Sequence, residues 1–486
     1  MSVPAAHPDV AWPTAREEAF ARRALLAVVA GSLLVQFALF SFDRAPRWDE
    51  AVYLSQVTPG VEAQFFAPFR ARGITLLIAP VTWWGGSITA VRLVLALVSA
   101  VALTGAFWVW VPFVGIAAPV AALLFSLSWV GLLNGSEIYP NFLAATLGLA
   151  VAGSVYRRLS NEGRFPHVIA SILIAVLALF RPTEATALFG ALGVYLLVFK
   201  RSAWRVLLLL SVGLAIGWLP WVVEMSVRFG GPLNALDEAG SAPFTLTTIA
   251  AHARQYLAYT DGRIFLSQAH EIPPAGLLWW SWLIVMAIVG VAKGRRAPAR
   301  DAALLCSLGA VVLVTLYVIL LQDRAIAPRY LLPAMVFLSV PAAVGVISLI
   351  RGSVRARVLG AIALLLVIPW GIWQARVADR VEARETRHRE SFRVVGLTLR
   401  QLAGGPPCSF ISLRGTAEIA LASGCEGTQV LDPGPTAEEL QQLSSSANPA
   451  FLILPRTHRP PSPLAGVTPV KAAEPAQKWF VYQLPA

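Results

Sequence analysis

Arg47-Trp48-Asp49-Glu50-Ala51-Val52-Tyr53 stands a few residues after the apolar run Ala24 to Ser41 and opens a polar loop before the next apolar run. A run of that length crosses about 30 Å of hydrocarbon as a helix. Two adjacent carboxylates at a membrane–water boundary are costly to bury and mark a functional position by default. What this pair does depends on where the spans lie and which compartment the loop faces.

The 486 residues are 57% hydrophobic and 14% charged, whereas soluble domains carry about 25% charge. Apolar runs of span length recur along the chain, so the expected fold class is mainly α, a polytopic transmembrane helical bundle. The net charge of +12 invites a nucleic-acid reading. The arginines, however, sit in short loops between apolar runs, which is the positive-inside pattern rather than a phosphate-binding stripe, and no nucleic-acid partner is expected.

Apolar runs and their breakers predict about eleven spans, at 24–42, 88–110, 112–133, 139–156, 167–180, 185–199, 203–223, 275–292, 302–321, 330–350 and 355–375. The short fifth and sixth are split by Arg181-Pro182-Thr183-Glu184; as one span they would put Lys200, Arg201, Lys293, Arg295 and Arg296 outside. Kept apart, they leave the basic segments 1–23, 157–166, 200–205, 293–300 and 351–357 all on the inner side. The polar 1–23 is then a cytoplasmic N-terminal segment, and the first span is a signal anchor. Residues 24–375 form the transmembrane domain, with outer loops 43–87 and 224–274, and the protein is multi-pass in the plasma (inner) membrane.

In the first outer loop, Glu50 to Val57 predicts a short helix lying along the interface, and Gly73 to Trp84 a second interfacial or re-entrant one. Phe65, Phe66, Phe69, Trp83 and Trp84 supply aromatic anchors at headgroup depth. The second outer loop holds His252, His270 and Glu271, whose spacing fits no compact metal pattern. From Arg376 the composition turns polar, and 376–486 reads as an extracytoplasmic α/β domain. It opens with a charged helix over 376–400. Strands follow near 409–413, 429–431, 451–454 and 479–484, alternating with helices at 416–423 and 436–445. Cys408 would open the first strand and Cys425 precede the second, so parallel neighbours bring them into bridging range in an oxidising compartment.

The polar groups at span boundaries fall on one side: Asp49, Glu50, Glu137, Arg181, Glu184, Asp323, Arg324, Arg329 and Tyr330. Each alone also suits a helix cap or a snorkelling end. Together they suit transfer of a glycosyl group from a lipid phosphate. The anionic leaving group is stabilised by arginine, and a carboxylate takes the acceptor's proton.

Arg47-Trp48-Asp49-Glu50-Ala51-Val52-Tyr53, in its place after the first span, resembles the first outer loop of GT-C glycosyltransferases. The group of protein O-mannosyltransferases and lipid A aminoarabinose transferases is nearest. Arg329-Tyr330-Leu331-Leu332-Pro333 is similar to a recurrent feature of that group, and Arg181-Pro182-Thr183 to motifs of lipid-linked mannosyltransferases. The resemblance covers about residues 24–375. It implies an inverting transferase using a polyprenyl-phosphate sugar, with a glycan, lipid or protein acceptor and an extracytoplasmic active site among membrane lipids. It implies Asp49 as base and Glu50 as a helper that positions the acceptor or a neighbouring arginine, with Arg47 and Tyr53 in support. Arg70 or Arg72 stands where such enzymes hold the lipid phosphate, although the lysine of the aminoarabinose transferases is absent; Arg324, Arg329 and Tyr330 are further candidates. Some GT-C enzymes use a divalent metal ion and others do not, and the sequence leaves that open. Competing readings are a transporter or flippase of lipid-linked sugars, disfavoured by the lack of internal repeats and midplane charges, and a non-catalytic envelope assembly protein.

Overall fold

The computed structural model describes residues 13–68, 70, 72–160, 166–199, 204–239, 245–264, 271–294, 297–320, 326–430, 434–445, 448–458, 461, 464, 468–472, 474–476 and 478–484. The protein is a multi-pass membrane protein with a small α/β module at its C-terminal end. Among the described residues, seven helical stretches are long and apolar enough to cross a bilayer. The first is α1 (Ala15–Leu39) and the second α4 (Ile88–Trp108), with the shorter α2 (Trp48–Ser55) and α3 (Arg72–Trp83) in the loop between them. A broken segment follows as α5 (Val111–Val114), α6 (Ala117–Ser126) and α7 (Trp129–Asn134). After it come α8 (Asn141–Leu159), α9 (Pro166–Phe180), α10 (Pro182–Phe199), and α11 (Trp204–Arg228), another of the seven. The second loop carries α12 (Pro232–Ala239) and α13 (Leu246–Leu257). The remaining long ones are α14 (Pro274–Lys293), α15 (Ala297–Thr315), α16 (Leu332–Ile350), and α17 (Val354–Leu365) continued by α18 (Val367–Ala403).

The predicted spans map onto these helices with three differences. The stretch 112–133 is three short helices rather than one, because Gly115 takes φ +58° and Ser128 starts a new helix by accepting from the Gly131 N–H. The expected interfacial helix at 50–57 starts two residues earlier, and Glu50 through Ser55 are buried. It therefore lies inside the protein instead of on a lipid surface. The last span runs on through the charged segment as α18, about 55 Å long, carrying the chain from the bundle into the C-terminal module. Trp83 and Trp84 are largely exposed, as anchors require, and Phe69 lies outside the described residues.

The module is a five-stranded sheet in the order β2-β1-β3-β5-β4: β1 (Ser409–Ser412), β2 (Glu426–Gln429), β3 (Ala450–Pro455), β4 (Val470–Lys471) and β5 (Trp479–Gln483). β1 pairs parallel with β2 and β3, and β5 antiparallel with β3 and β4. β2 starts three residues before its predicted place, and β4 has no forecast counterpart because two residues carry no period. Between β1 and β2 lies α19 (Thr416–Ser423), and before β3 lies α20 (Ala437–Ser444). Cys408 and Cys425 are bridged at the ends of the two parallel neighbours, with Cα atoms 4.7 Å apart.

Within the bundle, α14 and α16 meet through glycines. A Cβ on Gly345 would overlap Met286 O, and one on Gly290 would overlap Pro341 O. In lipid, where apolar surface gains little from burial against another helix, such close backbone approach supplies the packing energy. Gly345→Leu is expected to destabilise the bundle by about 1–3 kcal/mol through overpacking. A lowered thermal midpoint in detergent checks this, and an unchanged midpoint rules it out.

Candidate active site at one end of the bundle

Asp49 and Glu50 occupy the first turn of α2, and successive helix residues are rotated by about 100°, so the two carboxylates diverge. Asp49 turns towards the open side, with 19% of its side chain exposed. Its Oδ1 accepts from Arg70 Nη1 at 2.7 Å and its Oδ2 from Arg329 Nη2 at 2.7 Å. Burial pushes the Asp49 carboxyl up, but the Arg329 and Arg70 charges outweigh that and hold it below the ordinary carboxylate range. Aromatic faces keep both arginines in place. Arg70 lies 4.6 Å from the Trp48 ring centroid, and Arg329 lies 4.6 Å from that of Tyr139 and 5.2 Å from that of Tyr330.

Glu50 turns the other way and is fully buried. Arg92 Nη2 donates to both its oxygens, at 3.1 and 3.0 Å, and Arg389 Nη1 donates to Oε2 at 3.2 Å. The backbone N–H groups of Arg47 and Ile138 add two more bonds, at 2.9 and 3.2 Å. Arg389 also donates to Glu137 Oε1 at 2.6 Å, and Arg44 Nη2 reaches the same oxygen at 3.1 Å. Burial pushes the Glu137 carboxyl up, and Arg389 and Arg44 override this to hold it well below its usual range. Arg47 pairs with Glu385 of α18 at 3.2 Å.

A second group adjoins the first. Arg181 donates to Glu184 and, at 2.8 Å, to the Tyr317 hydroxyl, which in turn donates to Glu184. Tyr317 stacks on Tyr330 with centroids 5.4 Å apart, and Arg181 lies 5.5 Å from the Tyr330 ring centroid. α3 seats against the end of α9 because Gly73 leaves no room for a Cβ, which would stand 2.6 Å from the Phe180 ring. That contact brings the loop bearing Arg70 up to Arg181.

Of the residues singled out from sequence, Asp49, Glu50, Arg47, Tyr53, Arg70, Glu137, Arg181, Glu184, Arg329 and Tyr330 thus gather at one end of the bundle. Arg72 does not join Asp49: it pairs with Glu224 of α11 and with Gln56. Asp323 and Arg324 lie outside the described residues, as does His270 of the loop trio. Among the described residues no group of three or more His, Cys, Asp or Glu side chains is placed to hold a metal ion. Sequence reasoning missed Arg389, which is one of many arginines in a charged helix, and Arg44, Tyr139 and Tyr317. Arg92 did carry a signal, a cation near the end of an apolar run.

A narrow cleft beside Asp49 is lined by Arg47, Trp129, Tyr139, Ile264 and Arg329. A larger cavity, about 470 Å³, opens on the other side of α2 between Leu54, Trp83, Ile88 and Leu421. Among the described residues, no charged side chain lines its wall.

No protein-family model matches this chain, and no curated protein matches it. Solved structures do. ArnT from Cupriavidus metallidurans in the apo state aligns with a TM-score of 0.65 at 14% identity, over 95% of this chain and 97% of that one. The same protein bound to undecaprenyl phosphate aligns with a TM-score of 0.68 at 14% identity, over 95% and 98%. The arabinofuranosyltransferase AftD from Mycobacteria gives 0.56 at 16% identity, over 96% of this chain and 40% of that one. At these identities the likeness is one of fold, and the chain has the GT-C fold.

The buried network makes a prediction about stability. Removing Arg389 leaves Glu50 and Glu137 short of a cation in a dry site, a loss of about 3–5 kcal/mol. Arg389→Ala is therefore expected to lower the thermal midpoint strongly, and Asp49→Asn only slightly. Equal effects would refute the division between the two carboxylates. The sign of the acid response follows too. Glu137 contributes fully above its unfolded value of 4.5, and the contribution is lost as pH falls through the lowered folded value.

Proposed function

We propose that this chain is an inverting membrane glycosyltransferase that moves a sugar from a polyprenyl-phosphate donor to an acceptor hydroxyl, with Asp49 as the general base. The observation that carries this reading is Asp49 itself, the partly open carboxylate held between Arg70 and Arg329. The GT-C fold, and the alignment with a protein solved with undecaprenyl phosphate, support the choice of donor class. The concentration of basic residues in the opposite loops supports an extracytoplasmic site.

In this mechanism the donor phosphate enters beside Asp49 and competes for Arg70 and Arg329. Each guanidinium that turns to the phosphate releases a carboxylate oxygen for the acceptor. The acceptor oxygen attacks the anomeric carbon, its proton passes to Asp49, and the carbon–oxygen bond to phosphate breaks. The lipid phosphate departs with the electron pair, its charge neutralised by the two arginines. A phosphate leaves without needing a proton, so one base suffices. Glu50 serves as a positioning residue, holding Arg92, Arg389 and the start of α2 so that Asp49 keeps its place between Arg70 and Arg329. Tyr53, Tyr139 and Tyr330 wall the arginines in. The acceptor is a glycan, lipid or protein bearing a free hydroxyl.

The test is to incubate purified protein with a panel of polyprenyl-phosphate sugars and acceptors and follow release of lipid phosphate. Asp49→Asn is expected to cut transfer by about 10²–10⁴-fold, the usual worth of a positioned base, in a protein that still folds. An active Asp49→Asn enzyme would remove Asp49 from that role. Arg329→Ala is expected to weaken donor binding by about ten- to a hundred-fold, from the loss of one charge-assisted bond. Donor affinity left unchanged would take Arg329 out of the clamp. Binding of donor with no release under any condition would point instead to a carrier of lipid-linked sugars.

A further inference from the structure

The C-terminal module does not merely follow the bundle; it sits on the helix that carries Asp49. Ala417 and Leu421 of α19 pack with Ala51, Val52 and Trp48 of α2. The other side of α19 is pressed onto α18, where a Cβ on Gly396 would meet Ala422 at 2.6 Å and Ile419 O at 2.8 Å. Gly415, at φ +72°, lets the chain turn into α19 directly against the Phe392 ring. The Cys408–Cys425 bridge closes the loop that contains this helix.

Between the two contacts stands Glu418, 9% exposed, whose Oε2 has no hydrogen-bond partner among the described residues. The charges that face it come from both packed elements: Arg47 and Asp49 from α2 and its entry, and Arg389 from α18. From the sheet side, Glu426 of β2 is exposed to solvent and acts on Glu62 instead. Arg47 is already paired with Glu385, and Arg389 with Glu50 and Glu137, so neither cation is spare for Glu418.

We propose that Glu418 is a further positioning residue of the Asp49 site, a carboxyl lent by the C-terminal module whose charge state sets how firmly the site holds an anionic phosphate. This rests on the transferase reading above. With Glu418 neutral, Arg70 and Arg329 face the single charge of Asp49, and one positive charge is left for a phosphate. With Glu418 ionised, its negative charge offsets that excess. Burial supports the switch, because it pushes the Glu418 carboxyl up to about 7. The module therefore couples its own seating on α2 to donor binding.

The test compares the full-length wild type with Glu418→Gln in phosphatidylcholine nanodiscs, measuring the Kd of undecaprenyl phosphate at pH 6 and pH 8. Taking the ratio of the two proteins at each pH removes the titration of the phosphate itself. The ratio is expected to be near one at pH 6. At pH 8 the wild type should bind about five- to twenty-fold more weakly than the variant, the order expected for one added unit charge at moderate effective dielectric. Binding with the same ratio at both pH values overturns the proposal alone; no binding by the wild type at either pH overturns the transferase reading together with it. Thermal midpoints supply a readout independent of ligand. A carboxyl whose folded value is raised loses stability as pH climbs from its unfolded value of 4.5 through about 7. The wild-type midpoint should therefore fall relative to Glu418→Gln between about pH 4.5 and 7, and a constant difference counts against a buried neutral acid. Glu418→Met, which fills the space without charge, replaces the variant if Gln fails to fold.

Discussion

Arg389 is fully buried about six turns along α18, and its two terminal nitrogens divide between Glu50 and Glu137. Almost everything at this end of the bundle depends on that division. Three cations, Arg44, Arg92 and Arg389, share two carboxylates with no exposed side-chain surface. Ions removed from water are tolerable only when paired and hydrogen-bonded. The network therefore admits one arrangement of the loop after α1, the start of α4, the turn before α8 and the shaft of α18. Moving any one of these would strand a charge. Here a buried salt-bridge cluster acts chiefly to define position, and the site inherits that rigidity.

The neighbouring pair Asp49 and Glu50 is not a catalytic dyad of the kind in which two carboxylates share a proton. Helical rotation turns them about 100° apart on α2, and their surroundings differ accordingly. Glu50 is saturated by two arginines and two backbone N–H groups, which leaves it no capacity for chemistry. Asp49 keeps part of its side chain exposed, and both its partners are arginines. One charge anchors the helix and the other stays partly exposed between two arginines.

α18 explains why a module of its own fold belongs to the same machine. It rises out of the membrane as the last span, contributes Arg389 and Glu385 to the site, and then packs on α19 through Gly396. α19 returns to cover α2. The helix bearing Asp49 is thus held from below by ion pairs and from above by the module, so the loop is enclosed by protein where an interfacial helix would lie against lipid.

Much of this was legible in the residues alone. Span-length apolar runs, the Arg181-Pro182 break between α9 and α10, the bias of basic loops and the strand–helix alternation after Arg400 follow from period and composition, which are local properties. The same local signals placed Asp49, Glu137, Arg181, Glu184 and Arg329 at boundaries on one side, and put Cys408 and Cys425 at the ends of neighbouring strands. Local signals could not say which carboxylate faces which arginine. The partners of Asp49 lie 21 and 280 residues away, and those of Glu137 lie 93 and 252 away. Arg72 and Arg70 look alike in sequence, yet only Arg70 reaches Asp49, because α3 begins between them and turns Arg72 towards Glu224. Arg389 is anonymous in a helix full of arginines until packing buries it. Composition and period decided that this chain is a membrane bundle whose first loop carries an Asp-Glu pair; only the tertiary structure, by removing water from particular charges, decided that Glu50 is buried among arginines while Asp49 stays partly exposed.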